Sequence, residues 1–139
     1  VTLAHPEGME LDDEVIQACK KNAESSGGNF RITNDFEDGL KGAHVVYPKA
    51  WCAKTLYKPP VGSGEVKKAQ EINEKNKSWK CDEERLALAD KNAIYMHCLP
   101  CDRGHEVTDA VVDGPQSVVF DEAENRLHAQ KAVMSLLMS

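Results

Sequence analysis

Short β-like runs alternate with helical patterns along the chain, which predicts an α/β sandwich around a mostly parallel sheet. Two local observations sharpen that reading. Ala93–Met96 is a compact apolar run that fits a buried strand. The last segment carries a cap signal followed by a long helical stripe, Ala123, Leu127, Gln130, Met134 and Leu137.

In chain order, Val1–Ala4 is a short apolar strand candidate. Asp12 can cap a helix with Val15, Ile16, Cys19 and Ala23 on one face, and Ser25-Ser26-Gly27-Gly28 ends it, glycine being the usual stop residue. Phe30–Thr33 reads as a strand, Asp35–Leu40 as a short helix and Val45–Tyr47 as another strand, which Pro48 interrupts. K-P-P-V-G-S-G, 58–64, has loop composition. Lys67–Arg85 is densely charged, a pattern of a solvated helical face, with Ile72 and Trp79 its expected inward residues. Asp82–Ala89 and Val107–Val112 read as short helices, and Gly114-Pro115 turns the chain into Val118-Val119-Phe120. Asp121 and Glu124 then stand in capping-box positions for the final helix.

The 139 residues are one domain's worth and long enough to bury a core. The net charge of −6, with acids and bases interspersed, argues against nucleic acid or an anionic membrane surface as partner. No apolar run approaches the ~20 residues that span a bilayer. Cys19, Cys52, Cys81, Cys98 and Cys101 show no disulfide framework and read as reduced thiols of a cytoplasmic protein. There is no G-x-G-x-x-G, so a dinucleotide fold has no direct support.

In parallel sheets, chemistry gathers in loops beyond the carboxyl ends of strands. Two such places stand out, Tyr47–Trp51 and His97–Pro100. The second opens the stretch H-C-L-P-C-D-R-G-H, 97–105, which admits three readings. C-x-P-C is a redox spacing, but Gly104 follows too soon for the long helix a thioredoxin-like site needs. His97, Cys98, Cys101 and His105 are zinc-binding residue types, but structural zinc takes ligands from two separated pairs and these share one short loop. The third reading is a buried strand end with Pro100 fixing a turn.

The wider context favours a fourth. H-C-L-P (97–100), G-x-E-V-T (104–108) and F-D-E-A-E-N-R-x-H (120–128) occur in that order. Together with L-A-H-P-E-G (3–8) and E-S-S-G-G-N-F (24–30), this set resembles the carbamoyltransferases, the family of ornithine and aspartate transcarbamylases. The resemblance implies a three-layer α/β sandwich, the amino-acid-binding (carboxyl-terminal) domain spanning 1–139. It also implies that the first strand and helix of that domain, and the carbamoyl-phosphate-binding amino-terminal domain, are absent from these residues. The family's S-x-R-T-R and H-P-x-Q do not occur, and A-H-P-E-G is a false echo of the latter.

Family members join an amine to carbamoyl phosphate without a cofactor or metal. By resemblance, the main-chain carbonyls of Cys98 and Leu99 would accept from the carbamoyl NH2, with His97 and Pro100 completing the turn. The Cys98 thiol would lie beside the second substrate, and Arg126 would polarise the carbamoyl carbonyl. Read alone, Arg126 fits a surface pair with Glu122 at i,i+4 better than a site role, and the motif reverses that reading.

Ornithine enzymes carry D-x-W and an S-M-G loop, where this chain has Y-P-K-A-W-C-A-K, 47–54, and no S-M-G. Lys49 in place of a carboxylate would repel a free α-ammonium and suit a carboxylate or acyl oxygen. Lys49 and Trp51 thus resemble the knotted branch acting on N-acylated ornithines, or a related group of unassigned substrate. Asp102 and Glu106 make the substrate side more acidic than an N-acylornithine pocket would need. The expected partners are carbamoyl phosphate and an amino acid or amine, and the expected assembly of the full-length protein is a homotrimer. The competing expectation is a non-catalytic remnant of the fold that binds a small acid or a partner subunit. In isolation, Leu136, Leu137 and Met138 should expose apolar surface on the final helix.

Overall fold

A computed structural model describes residues 1–49 and 64–138. They fall into two compact units, one built from 1–41 and 64–79, the other from 42–49 and 80–138.

The first unit contains a parallel β-α-β element. Strand β1 (Thr2–Ala4) pairs with β2 (Arg31–Thr33) in the register Leu3↔Ile32, and helix α1 (Asp13–Ser26) connects them. On α1 the half-buried positions are Ile16, Cys19 and Ala23, the 3–4 spacing of one helical face, whereas Val15 is exposed. Gly27, at φ 69°, ends the helix, and the Gly28 N–H closes on the Ala23 carbonyl at 2.8 Å. Helix α2 (Phe36–Leu40) begins at Asp35, whose side chain accepts from the Asp38 N–H at 3.0 Å. Gly39 lets α2 lie against β1, because a Cβ there would meet the Ala4 Cβ at 2.6 Å. Helix α3 (Gly64–Lys75) precedes Trp79, which packs on Phe36 at 5.3 Å between ring centroids. Ile72 and Trp79 are half-buried, as their sequence context predicts.

The second unit carries the rest. Strands β3 (Val45–Val46) and β4 (Ile94–Tyr95) pair in parallel, Val46 opposite Tyr95. A bridge from Tyr95 to Ser117 adds a third extended segment beside β4. Helices α4 (Glu83–Leu86, capped by Asp82) and α5 (Asp109–Val112) are each a single turn, shorter than their sequence patterns predict. Val107 forms a bridge with Cys81 instead of joining α5. Cys81, Tyr95, Val107, Val111, Val112 and Val119 form the fully buried interior of this unit.

Helix α6 (Val119–Leu137) corrects the capping-box expectation. It starts at Val119, so Val118–Phe120 is not a strand and Asp121 lies inside the first turn. The physical reason is tertiary. The Val118 N–H donates to the Tyr95 carbonyl at 3.0 Å, and the Val118 carbonyl accepts the first helical bond from Glu122 at 2.9 Å. Pairing beside β4 therefore sets the helix start before any side-chain cap can. Beyond Glu122 the helix is exposed; Leu136, Leu137 and Met138 keep 78–80% of their surface. No helix among the described residues is long and apolar enough to cross a membrane.

Candidate functional site

Parallel pairing of β3 and β4 brings their carboxyl ends together. Continued one for one past Val46↔Tyr95, the register sets Pro48 beside His97 and Lys49 beside Cys98. Tyr47 stacks on His97, with centroids 6.1 Å apart and planes 20° from parallel.

The 97–100 turn is held from behind. His97 is fully buried, and its Nδ1 accepts from the Leu99 N–H at 2.9 Å. A nitrogen that accepts carries no proton, so the neutral ring bears its proton on Nε2. Nε2–H then donates to Glu106 Oε2 at 3.1 Å, and the Asp102 N–H reaches the same oxygen at 3.2 Å. Glu106 is itself only 2% exposed. With both ring nitrogens engaged, His97 presents nothing to a ligand or a zinc ion. Among the described residues no three His, Cys, Asp or Glu side chains converge to hold a metal.

Leu99 sits at φ 50°, left-handed for a residue with a side chain, and the Leu99–Pro100 peptide is cis. A left-handed residue of this kind costs about 1–3 kcal/mol and persists only where its surroundings impose it. Here the His97 ring imposes it by capturing the Leu99 N–H. Among the described residues no backbone N–H reaches the Cys98 or Leu99 carbonyl, so both remain available as acceptors.

The open side of the turn is polar and mixed in charge. Cys98 is exposed. The influence of Tyr47 and then of Lys49 holds its pKa below the ordinary thiol value. Tyr47 moves the other way: burial first, then Cys98 and Glu122, push its phenol up, so it stays a proton donor. It donates to Glu122 Oε1 at 3.0 Å. The other carboxylate oxygen, Glu122 Oε2, is buried and lacks a partner among the described residues.

Arg126 stands one turn beyond Glu122 on the same face of α6. Helical side chains lean toward the amino terminus, which directs Arg126 back over that turn. Among the described residues no carboxylate forms an ion pair with it; Glu122, its i,i+4 neighbour, is engaged by Tyr47 instead.

The second unit thus brings Lys49, His97, Cys98, Leu99 and Pro100 to one place, with Arg126 on the helix that begins there. Trp51 lies outside the described residues. Sequence reasoning placed Tyr47 in a chemistry-bearing loop without a role of its own and knew Glu122 only as a surface partner for Arg126; Glu106, expected to make the substrate side acidic, is instead buried behind the turn, engaged by His97 and the Asp102 N–H. The clue for Tyr47 was its place at the end of a strand; for the two glutamates no local spacing signals these contacts.

Comparisons with known proteins identify the family. The family model described as aspartate/ornithine carbamoyltransferase, Asp/Orn binding domain, matches residues 1–137. The ornithine carbamoyltransferase of Thermococcus kodakarensis is 44% identical over 99% of this chain, and the chain covers 41% of that protein. That of Mycolicibacterium smegmatis is 39% identical over 99% of this chain, which covers 42% of it. A crystal structure of acetylornithine transcarbamylase complexed with acetylcitrulline superposes with a TM-score of 0.87 at 36% identity, covering 99% of this chain and 39% of that one. The chain thus spans about two fifths of the length of these relatives. With the family model matching residues 1–137 and a solved relative sharing its backbone, this chain belongs to the aspartate/ornithine carbamoyltransferase family, in its Asp/Orn-binding domain.

Proposed function

We propose that this chain forms the amino-acid-binding part of a carbamoyltransferase, which moves the carbamoyl group of carbamoyl phosphate onto the amine of an ornithine-like or N-acylornithine-like substrate. In that reaction the uncharged amine attacks the carbonyl carbon, the C–O bond to phosphate breaks, and the amine gives up one proton. Negative charge grows on the carbonyl oxygen and the departing phosphate, so catalysis consists of positioning and electrostatic stabilisation.

The observation that carries the reading is the turn whose Leu99 N–H is drawn inward while the Cys98 and Leu99 carbonyls stay unengaged among the described residues. A carbamoyl NH2 has two donors and needs two acceptors. Pro100 limits the turn's freedom, His97 supports it from behind, and Arg126 supplies the cation for the carbonyl oxygen. Cys98 flanks the acceptor amine and is no nucleophile, because transfer is direct.

The surroundings favour a substrate that carries both signs. Lys49 suits a carboxylate or acyl oxygen, and the unpartnered Glu122 oxygen suits an amine. Trp51 is proposed as a substrate-binding residue on the family resemblance alone. Relatives named for ornithine and structures named for acetylornithine both support this substrate class.

The phosphate-binding S-x-R-T-R and H-P-x-Q are not in these 139 residues. We therefore expect the isolated chain to be inactive and the activity to reside in the complete gene product, as a cytoplasmic homotrimer. The test is a screen of that product with carbamoyl phosphate and ornithine, N-acylornithines, putrescine and other amines. Ureido product with one of them supports the reading. No product with any, alongside measurable binding of small acids, favours a non-catalytic remnant of the fold.

A further inference from the structure

We propose that His97 and Glu106 are positioning residues, a buried brace that sets the direction of the Cys98 and Leu99 carbonyls without touching substrate. The inference rests on the proposed role of those carbonyls. Nothing in the spacing of a loop links residues nine apart, yet the structure joins them in one chain of contacts. Glu106 Oε2 accepts from Nε2–H of His97 at 3.1 Å, and His97 Nδ1 accepts from the Leu99 N–H at 2.9 Å.

The order of the two bonds matters. Glu106 Oε2, which also accepts from the Asp102 N–H, faces Nε2 as an acceptor and calls for a donor there. That requirement selects the tautomer whose Nδ1 is a bare acceptor. Only that tautomer can draw in the Leu99 N–H, and drawing it in holds Leu99 at its left-handed φ of 50°. The Asp102 N–H, 3.2 Å from the same Glu106 oxygen, ties the far side of the loop to the brace. Tyr47, stacked on the ring, limits its rotation. A carboxylate thus acts on a substrate-facing carbonyl through an imidazole and a peptide N–H.

Two amide replacements separate the two ends of the ring. In His97→Asn the side-chain oxygen falls where Nδ1 lies and can still accept from Leu99, while the donor to Glu106 is lost. In His97→Gln the side-chain nitrogen can reach Glu106, while the acceptor for Leu99 is lost. Both variants go into the complete gene product, with kcat and KM measured beside hydrogen exchange at the Leu99 amide. We expect His97→Gln to lose kcat on the order of 100-fold, the usual penalty for a misplaced reacting group. His97→Asn should lose far less, and Leu99 exchange should be slow in the parent and His97→Asn but fast in His97→Gln. Equal losses in both variants, or exchange that ignores the substitution, would overturn the brace.

Should His97→Gln fail to fold, nitrogen-15 spectra of the unsubstituted protein decide. A neutral ring protonated at Nε2 supports the brace; protonation at Nδ1 overturns it. If the unsubstituted protein yields no ureido product, the functional reading fails, and the exchange and ring-nitrogen measurements still decide the brace on their own.

Discussion

Cys98 precedes the loop 101–108 and Cys81 bridges to Val107 near its end, and their surroundings treat the same side chain in opposite ways. Cys81 is fully buried, bridged to Val107, and burial pushes its thiol up to about 12. Cys98 is exposed, and Tyr47 and then Lys49 hold its thiol below the ordinary value. One face of the loop is built for stability and the other for polar chemistry. Substitutions on the two faces should therefore separate: those on the Cys98 face should move rates, those on the Cys81 face should move stability.

The largest separation is expected at Arg126. In the complete gene product, Arg126→Ala should reduce kcat about 100- to 1000-fold, the range seen when a group that stabilises a developing oxyanion is removed. The melting temperature should stay put, because the residue is exposed on α6. An unchanged rate would remove Arg126 from the site.

Val107→Ala tests the interior face. Val107 has no exposed surface, and truncating it should cost about 2 kcal/mol in a denaturant titration while leaving KM for both substrates as it was. A shift in KM without a loss of stability would merge the two faces.

Cys81 adds a pH signature. Burial raises its folded-state pKa from the ordinary thiol value near 9 to about 12. The neutral thiol is favoured in the fold, so the stability it contributes is complete below pH 9 and is lost as pH rises toward about 12. Unfolding followed across that window should show stability falling, and Cys81→Ala should flatten the fall. An unaltered slope would mean the thiol is not the group responsible.

The smallest expected effect is at Lys49. Lys49→Met should raise the pH at which Cys98 is alkylated, since the ammonium helps hold the thiol down. The Cys81 thiol should resist the same reagent in both proteins. Alkylation of Cys98 at an unchanged pH would separate Lys49 from the thiol.

The legible and illegible parts of this molecule differ in kind. Gly27 ends α1 and Asp35 begins α2 as their sequence context predicts, because caps and stops are local events. The start of α6 was not legible. Val118 is claimed by the Tyr95 carbonyl, a partner 23 residues away in sequence, and that bond overrides the local Asp121–Glu124 signal. The site divides likewise. The H-C-L-P turn and Arg126 announce themselves through motifs, and the strand register then accounts for Lys49. The join between His97 and Glu106 depends on how a loop folds back, and loops carry no periodicity to read. The exposure of Leu136–Met138 was legible from their apolar run, and these residues keep 78–80% of their surface.

The most direct test of the account is a crystal structure of the complete gene product with carbamoyl phosphate and a non-reactive analogue of its amine substrate. The carbamoyl nitrogen should lie within hydrogen-bonding distance of the Cys98 and Leu99 carbonyls, with the Arg126 guanidinium facing the carbonyl oxygen. A carbamoyl group bound elsewhere, with both carbonyls facing only solvent, would contradict it.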